Sequence, residues 1–314
     1  MKAIVTGGAG FIGSHVTDAL IDRGIEVVVI DDLSSGRTEL LNPRARFYEL
    51  DIRSPEVEKI FHDNRFDAVF HLAAQLDVRK SVDDPIFDAD INVLGSINLL
   101  KLSAESGVRK FIFSSTGGAI YGEQDYFPAD EKHPLRPISP YGIAKLSVER
   151  YMYFYRVEYG LDTVALRYSN VYGPRQNSHG EAGVVAIFCQ RLFEGKPLII
   201  FGDGGQTRDY LFVSDVVSAN MKALDGDFTG EVNIGTGREN DLNKMVALLE
   251  RASGKKVETV YEAPKPGEQY RSCLDNGLAN EVLSWRPEVA LEKGVALTVE
   301  FFRKSPDCAQ TNRY

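Results

Sequence analysis

Short apolar runs alternate with amphipathic stretches throughout the first half of the chain. Near-continuous apolar runs are typical of parallel strands buried on both faces, and the stretches between them repeat with a helical period. This pattern predicts strands at residues 2–7, 26–31, 46–50, 68–73, 110–115 and 162–168, and helices at 12–23, 55–64, 92–107 and 140–159. Because crossovers between parallel strands are right-handed, we expect an α/β fold with a doubly wound parallel sheet.

The alternation of strands and helices changes after residue 170. Residues 171–183 are rich in Gly, Pro, Asn and Arg, which is typical of a loop. Beyond them the pattern predicts helices at 184–194, 214–224 and 241–253, strands at 197–201 and 233–237, and a C-terminal strand and helix. We therefore predict a main domain at 1–170 and a smaller α/β lobe at 171–314, from which some segments return to the sheet.

Composition narrows the range of partners. The 314 residues include 36 basic and 45 acidic side chains, a formal charge of −9, and no basic run, so we predict no nucleic-acid partner. No apolar stretch reaches the ~18 residues of a membrane span, and the first apolar run is strand-like rather than a signal peptide. Three widely spaced cysteines, Cys189, Cys273 and Cys308, form no metal-ligand pattern. We predict a cytoplasmic protein with no metal site and no membrane partner.

The sequence "AIVTGGAGFIG" at residues 3–13 is the first candidate binding motif. Gly7, Gly10 and Gly13 follow a predicted strand and open a predicted helix. The first glycine permits a tight turn, the second lets the backbone approach a pyrophosphate, and the third lets the helix pack against the strand. The helix N-terminus directs unpaired N–H groups at the phosphates. A packing turn without a ligand is the alternative interpretation.

An acidic residue at the end of the second strand decides between these interpretations. Asp31 lies where a carboxylate can accept hydrogen bonds from a ribose diol and repel a 2′-phosphate, so we predict NAD, with Arg37 keeping NADP as an alternative. Asp51 and Ile52 follow the third strand, where a carboxylate can reach the adenine amino group. The fourth strand ends in Leu72, Ala73 and Ala74, and small residues of this kind are needed where backbone passes beneath a dinucleotide.

Hydroxyl residues end the fifth strand, and a tyrosine and a lysine follow on a helix. Ser114, Ser115 and Thr116 lie at the carboxyl edge of the sheet, where open parallel sheets bind ligands. Tyr141 and Lys145 share one helical face. The lysine ammonium and a nicotinamide ring would lower the pKa of the tyrosine from ~10 towards neutrality and make it a general base. Two ordinary residues of an amphipathic helix are the alternative.

These motifs, together with "RYSNVYGPRQ", "GDGGQTRDYLFVSDV" and "KPGEQYRSCLD", resemble in identity and order those of the extended short-chain dehydrogenase/reductases. Within that family the chain is most similar to UDP-glucose (UDP-galactose) 4-epimerases, and the similarity spans residues 6–275. The resemblance implies a Rossmann domain, NAD and a UDP-sugar substrate. It also implies a homodimer formed by helices 92–107 and 140–159 as a four-helix bundle.

The resemblance also implies roles for individual residues. Thr116, Tyr141 and Lys145 would be catalytic, with Ser115 in reserve for Thr116. Further cofactor contacts would come from Phe11, Ile12, Asp32, Ser35, Gly36, Ser114 and Tyr168. The nucleotide sugar would be bound by Thr116, Asn170, Val185, Ile199, Phe201, Arg208, Tyr210 and Arg271.

Two glycines favour epimerisation over elimination of water. Dehydratases of the family carry an Asp-Glu pair after the hydroxyl residue, and related decarboxylases commonly carry a glutamate, whereas this chain has Gly117 and Gly118. The family mechanism implies that Tyr141 takes the proton of the sugar 4-OH while C4 loses a hydride. The 4-keto sugar then turns over, and the hydride returns to its opposite face.

Other interpretations stay open at this stage. Small Ser272 and Cys273 raise the hypothesis that N-acetylated UDP-sugars are accepted. Arg79 could face the carboxylate of UDP-glucuronate, although an exposed helical arginine is the simpler interpretation. A protein that keeps the fold without its chemistry, as a redox-sensing or RNA-binding module, is a further alternative.

Overall fold

The computed structural model describes residues 1–178, 183–264 and 269–304. Its strands are β1 (Lys2–Thr6), β2 (Glu26–Asp31), β3 (Arg46–Glu49), β4 (Ala68–His71), β5 (Lys110–Thr116), β6 (Asp162–Tyr168), β7 (Asn170–Tyr172), β8 (Leu198–Phe201), β9 (Thr207–Arg208), β10 (Tyr210–Phe212), β11 (Gly230–Ile234), β12 (Asn240–Asp241), β13 (Thr259–Glu262) and β14 (Arg271–Ser272). Its α-helices are α1 (Phe11–Asp22), α2 (Glu56–Asp63), α3 (Val78–Asp83), α4 (Pro85–Ala89), α5 (Gly95–Glu105), α6 (Gly117–Ile120), α7 (Pro140–Tyr159), α8 (Val184–Glu194), α9 (Val213–Asp225), α10 (Leu242–Ser253), α11 (Gly277–Leu283) and α12 (Leu291–Lys304).

The main sheet has seven parallel strands in the order β11-β6-β5-β4-β1-β2-β3. The strand order reverses between β1 and β4, which creates a crevice at the carboxyl edge of the sheet. This arrangement confirms the predicted doubly wound α/β fold. The candidate residues after β1, β2, β4 and β5 therefore lie at the same edge.

Apolar side chains cover both faces of this sheet. Ala3, Val5 and Val29 point to one face and pack with residues of α1 and α9. Ile4, Val28 and Ile30 alternate with them and pack on the other face with residues of α2, α5 and α7. The period of two along each strand thus gives a sheet buried on both sides.

The second half contributes both to this sheet and to a separate core. β11 pairs with β6, so the strand that the sequence analysis placed at 233–237 ends at Ile234 and belongs to the large sheet. Residues of α8, α10 and α12 form a third apolar core of their own. The division at residue 170 remains a prediction.

A buried carboxylate joins the short strands of the second half. Asp209, between β9 and β10, accepts hydrogen bonds from the N–H groups of Thr236, Gly237 and Leu274 at 2.9–3.3 Å. Three segments that are distant in sequence are thereby held beside the end of β6. None of the helices in the described ranges is long and apolar enough to cross a membrane.

Several elements were not predicted. α3, α4 and α6 are short helices, and residues Asp90–Leu94 form a π-helical segment between α4 and α5. Residues 179–182 of the predicted loop, and Cys308, lie outside the described residues.

Candidate active site

The glycine-rich turn between β1 and α1 is fixed by backbone contacts. Gly7 has φ +73°, and a Cβ at this position would lie 2.6 Å from the backbone nitrogen of Ala73. A Cβ on Gly13 would lie 2.0 Å from the Gly7 carbonyl oxygen. Larger residues would therefore push the turn away from β4 or lift α1 from β1. Among the described residues no side chain caps α1, and its first turn contains no acidic residue, so its N–H groups are available to an anion.

Asp31 lies beside this turn and supports it. Its carboxylate oxygens accept hydrogen bonds from the N–H groups of Ala9 and Leu33, both at 2.9 Å. Burial raises the pKa of Asp31, while these two N–H groups oppose the shift. The residue therefore orders the backbone around the turn, a role that the sequence analysis did not foresee beside ribose binding.

The remaining predicted cofactor contacts differ in their surroundings. Asp51 is paired with Arg53, whose Nε lies 2.9 Å from Oδ1, and this pairing lowers the Asp51 pKa. The Asp32 carboxylate accepts hydrogen bonds from the N–H and hydroxyl of Ser34. Tyr168 is buried in the core of the sheet, and its hydroxyl accepts a hydrogen bond from Asn220 at 2.8 Å. Tyr168 thus supports the strand end from within.

The three hydroxyl residues at the end of β5 have different environments. The Ser115 hydroxyl donates to Glu149 Oε1 at 2.7 Å in the protein interior. Thr116 is half-buried at the edge of the sheet, and the Ser114 carbonyl accepts a hydrogen bond from Lys145. Because the Ser115 hydroxyl is committed to Glu149, Thr116 is the better placed of the two for a role at the site edge.

Tyr141 and Lys145 occupy the first two turns of α7. The helix begins after Ser139, whose hydroxyl caps the N–H of Gly142, with Pro140 in the first turn. Lys145 Nζ donates to the Ser114 carbonyl at 2.9 Å and lies 5.7 Å from the centroid of the Tyr141 ring. The spacing of four residues thus brings both groups to the end of β5.

Burial controls the protonation of this pair. It lowers the pKa of Lys145 to about 8, against the opposing charges of Asp88 and Glu149. Burial and the negative charge of Asp88 raise the pKa of Tyr141 above its ordinary value. The predicted lowering of the tyrosine pKa is therefore not a property of the chain alone, because burial and the charge of Asp88 both favour the neutral phenol.

The two glycines after Thr116 have unequal space. A Cβ on Gly117 would lie 2.4 Å from a methyl carbon of Leu274, whereas a Cβ on Gly118 would have only the Thr116 hydroxyl as a neighbour, at 3.9 Å. Packing therefore excludes a side chain at one of the two positions. The other position, Gly118, has room for a side chain, so only its identity as glycine leaves it without a proton-transferring group.

The C-terminal lobe contains a cleft of about 750 Å³, lined by residues including Phe201, Gln206, Tyr261 and Tyr270. Of the predicted substrate-binding residues, Phe201 lines this cleft. Ile199 is half-buried on the same strand, β8. The cleft is large enough for a drug-sized ligand.

Two other predicted substrate contacts, Arg208 and Arg271, lie beside Tyr270 of this cleft. Arg208 Nη1 donates to the Thr207 and Tyr270 carbonyls at 2.8 and 3.4 Å. The Arg271 Nη2 pairs with Glu239 at 2.5 Å, and its guanidinium lies over the Phe127 ring. Arg271 is thus held by an acid and an aromatic ring, which sequence reasoning missed.

Three further predicted contacts complete the set. Asn170 is exposed at the start of β7, and its N–H donates to the Asp209 carbonyl at 2.9 Å. Tyr210 is buried on β10, and the Val185 side chain is buried in the lobe core. A contact between the Val185 side chain and substrate is therefore not supported by its placement.

Sequence reasoning also missed the buried charges around Lys145. Glu149 and Arg167 form an ion pair at 2.6 Å, with side-chain exposures of 0% and 3%. Asp88 is 1% exposed on α4. Glu149 lies four residues after Lys145, so helical spacing could have signalled it, whereas the approach of α4 to α7 could not be read from the sequence.

Comparison with known proteins identifies the family of this chain. A family model described as the NAD dependent epimerase/dehydratase family matches residues 3–235. The chain belongs to this family. A relative from Mycolicibacterium smegmatis named UDP-glucose 4-epimerase is 45% identical over 309 residues, covering 96% of this chain and 99% of the relative.

Solved structures of family members share the whole fold. A UDP-glucose 4-epimerase from Thermotoga maritima, solved with UDP-glucose, is 53% identical with a TM-score of 0.95, and the match covers 97% of this chain and 99% of that chain. A UDP-glucose 4-epimerase from Thermus thermophilus, solved with NAD, is 44% identical with a TM-score of 0.92, covering 97% of this chain and 100% of that chain.

The NAD dependence of the family confirms the predicted cofactor. The residues of this chain also fit that cofactor. The uncapped N-terminus of α1 suits a pyrophosphate, and the close approach of the Ala73 backbone leaves no room for a side chain at Gly7. Asp31 ends β2, where a ribose carboxylate is expected in this fold.

Proposed function

We propose that this member of the NAD dependent epimerase/dehydratase family is a 4-epimerase that interconverts UDP-glucose and UDP-galactose. The observation that carries the proposal is the combination of Tyr141 and Lys145 at the end of β5 with Gly117 and Gly118 after Thr116. The family includes dehydratases, which need additional acid and base groups. This site offers one proton-transferring tyrosine and none at the two glycines.

The chain's own residues account for proton transfer and orientation. Tyr141, deprotonated to the phenolate, takes the proton of the sugar 4-OH and returns it after the 4-keto sugar has turned over. The glycine-rich turn and Asp31 would hold NAD, which would supply a reversible hydride acceptor for C4. Lys145 supplies positive charge beside the phenol, and Thr116 orients the 4-OH by a hydrogen bond. Asn170, Arg208 and Arg271 bind the diphosphate, since arginine suits phosphate oxygens.

The test is the conversion itself. We would incubate the purified protein with UDP-glucose and NAD and separate the C4 epimers by chromatography. We expect each epimer to be converted into the other until the same equilibrium mixture is reached from either starting sugar. Formation of a 4-keto-6-deoxy product instead would establish a dehydratase, and no turnover of either sugar would reject the proposal.

A second candidate substrate is the N-acetylated pair UDP-GlcNAc and UDP-GalNAc. Ser272 and Cys273 are small, and both are buried beside β9. Small side chains here leave volume for an acetamido group. Turnover of UDP-GlcNAc at a rate equal to or above that of UDP-glucose would support this extension, and undetectable turnover would reject it.

UDP-glucuronate is a weaker candidate. Arg79, the residue that could face its carboxylate, lies exposed on the short helix α3. A direct comparison of UDP-glucuronate with UDP-glucose as substrates separates the two. We expect UDP-glucose to react faster.

A homodimer through α5 and α7 is also proposed. On α7, Ile143, Tyr151 and Phe154 are exposed by 53%, 41% and 46%, and Leu94, just before α5, is exposed by 58%. Tyr155 of the same helix is instead buried and packs in the core between α7 and the sheet. An apolar helical face of this kind suits a four-helix bundle between two copies. A monomeric mass at micromolar concentration would contradict the dimer.

The cytoplasmic location remains a prediction. Cys189 and Cys273 are both buried, and neither forms a disulfide within the described residues, which accords with a reducing compartment. Fractionation of the source cells, followed by detection of the protein, tests this location.

A further inference from the structure

A stripe of polar side chains is buried along the helical stretch from α4 to α5. Asp88, Asn92 and Ser96 follow one another at intervals of four residues and are exposed by 1%, 3% and 1%. The π-helical segment Asp90–Leu94 carries the middle residue. Buried polar residues need partners, and π-helical segments frequently occur at functional sites. The stripe therefore calls for an explanation beyond packing.

Two side-chain amides fix one oxygen of the Asp88 carboxylate. Oδ1 accepts hydrogen bonds from Gln75 Nε2 and Asn92 Nδ2, both at 2.9 Å. The backbone N–H of Gln75 donates to Asn92 Oδ1 at 2.9 Å, which ties the Asn92 side chain to the backbone of Gln75. Oδ2 is equally buried and accepts no hydrogen bond from the residues that the structure describes. The geometry thus holds a carboxylate in the interior without a direct cationic partner.

Lys145 is a cationic complement to this carboxylate. α4 and the π-helical segment both pack against α7, which carries Lys145, and the lysine is 3% exposed. The charge of Asp88 raises the pKa of Lys145, and the charge of Lys145 lowers that of Asp88, against the burial of each. The two groups therefore interact within the same buried region.

The other ionisable groups around Lys145 are already engaged. Glu149 is paired with Arg167 and accepts the Ser115 hydroxyl. His71 is hydrogen bonded to Thr6 and Ser96, and its pKa falls to about 3, mainly through burial, so it is neutral near pH 7.

Tyr141 is neutral at that pH because burial raises its pKa. Among the described groups that act on Lys145, Asp88 is thus the acid without a cation of its own.

We propose that Asp88 is a positioning residue of the active site, whose buried carboxylate is the counter-charge of the Lys145 ammonium. Gln75 and Asn92 orient this carboxylate. Asp88 acts on the reaction through Lys145, which in turn acts on Tyr141. The inference rests on the proposed function only where it concerns the rate of epimerisation.

The effect on pH dependence has a definite sign. A negative charge raises the pKa of a neighbouring ammonium and also that of a neighbouring phenol. Removal of the Asp88 charge therefore lowers the pKa of Lys145 and of Tyr141 together. The acid and alkaline limbs of the pH–rate profile should both move to lower pH. A residue that serves only the fold would lower the maximum of the profile and leave its limbs in place.

The decisive variant is Asp88→Asn, which removes the charge and keeps an oxygen that can accept from Gln75 and Asn92. Lysine labelled with ¹³C at Cε is followed by NMR against pH in the purified full chain, and the Lys145 signal is assigned by its loss in Lys145→Arg. We expect a midpoint near pH 8 in the unsubstituted chain, since the pKa of Lys145 is about 8. In Asp88→Asn the midpoint should fall by about 1 pH unit or more.

Two other variants complete the design. Asp83→Asn removes an exposed acid from the neighbouring helix α3 and should leave the midpoint unchanged. Asp88→Glu keeps the charge and should restore a midpoint close to that of the unsubstituted chain. If Asp88→Asn does not fold, Asp88→Ser removes the same charge with a smaller side chain and carries the same expectation.

An unchanged Lys145 midpoint in a folded Asp88→Asn or Asp88→Ser chain would overturn the inference. The NMR titration uses no sugar, so it separates this inference from the proposed function. A shifted midpoint in a protein that does not epimerise UDP-glucose would reject the proposed function and retain the role of Asp88. An unshifted midpoint in an active epimerase would reject the role of Asp88 and retain the proposed function.

Discussion

The glycine-rich turn and the pocket around Tyr141 lie at the same edge of one sheet and are built by opposite means. The turn is shaped by backbone: a positive φ at Gly7, the close approach of Gly13 to the Gly7 carbonyl, and N–H groups held by Asp31. The pocket is shaped by buried ionisable side chains. Steric change should therefore damage the turn, whereas changes of charge or pH should act on the pocket.

The largest expected effect is loss of the phenol in the pocket. Tyr141→Phe removes the proposed acid and base while keeping the ring, so we expect kcat to fall by about 10²–10⁴-fold. Steady-state rates with UDP-glucose, together with NAD binding by calorimetry, check this, and NAD binding should persist. Tyr153→Phe, on the exposed side of the same helix, is the matched control. An ordinary kcat in Tyr141→Phe would show that the Tyr141 phenol takes no part in the reaction.

A methyl group should be enough to damage the turn. Gly13→Ala places a Cβ 2.0 Å from the Gly7 carbonyl oxygen, so helix α1 must move. We expect a loss of about 3 kcal/mol in the free energy of unfolding and a clear loss of NAD affinity. Denaturant unfolding and calorimetry measure the two quantities.

Gly24→Ala is the control for backbone strain without collision. Gly24 has φ +76° and no atom within 4 Å of its Cβ position. The Gly24→Ala substitution should lower the free energy of unfolding by about 1 kcal/mol and leave NAD binding intact. Equal effects of the two substitutions on NAD affinity would contradict the steric account of the turn.

The two glycines after Thr116 refine the comparison, because an added side chain would collide with a neighbour at Gly117 and would have open space at Gly118. Gly117→Ala should destabilise the fold by about 2 kcal/mol, since its Cβ would meet Leu274 at 2.4 Å. Gly118→Ala has open space and should be neutral or stabilise by up to about 1 kcal/mol through helix propensity. Denaturant unfolding of both variants tests this, and the reverse order would refute it.

The last prediction concerns pH and His71. Its pKa in the folded chain is about 3, below the ordinary 6.5, because it is buried. The unfolded chain therefore binds more protons below pH 6.5, and stability falls as pH decreases from 6.5 towards 3. Between pH 6.5 and pH 5 this group should remove about 2 kcal/mol.

Denaturant unfolding at several pH values measures that slope. His71→Gln should lose this part of the dependence, while His62→Gln, at an exposed position, should keep it. An unaltered slope in His71→Gln would assign the pH dependence to other groups.

Elements with local signals could be predicted from sequence, and α7 shows why. Ser139 caps its start, Pro140 occupies its first turn, and Gly160 ends it with φ +69°, so the prediction of 140–159 matches the structure. These signals act within a few residues of the helix ends. The same holds for the glycine turn and for the strands that alternate with helices.

The remaining elements depend on contacts distant in sequence. β9 and β14 contain two residues each and exist because they pair with one another. Asp88 gains its importance only because α4 packs against α7. Burial of Tyr141 likewise depends on the whole pocket, which is why its pKa was expected to fall and instead rises in the chain alone.

The position of β11 at the end of the main sheet has a consequence for synthesis of the chain. Residues 230–234 pair with β6, although more than 60 residues separate the two strands. A growing polypeptide that has left the ribosome only as far as α9 exposes β6 as an unpaired edge. Unpaired edges favour intermolecular strand pairing. Chains truncated near residue 170 should therefore aggregate, and those that extend beyond Ile234 should stay dispersed.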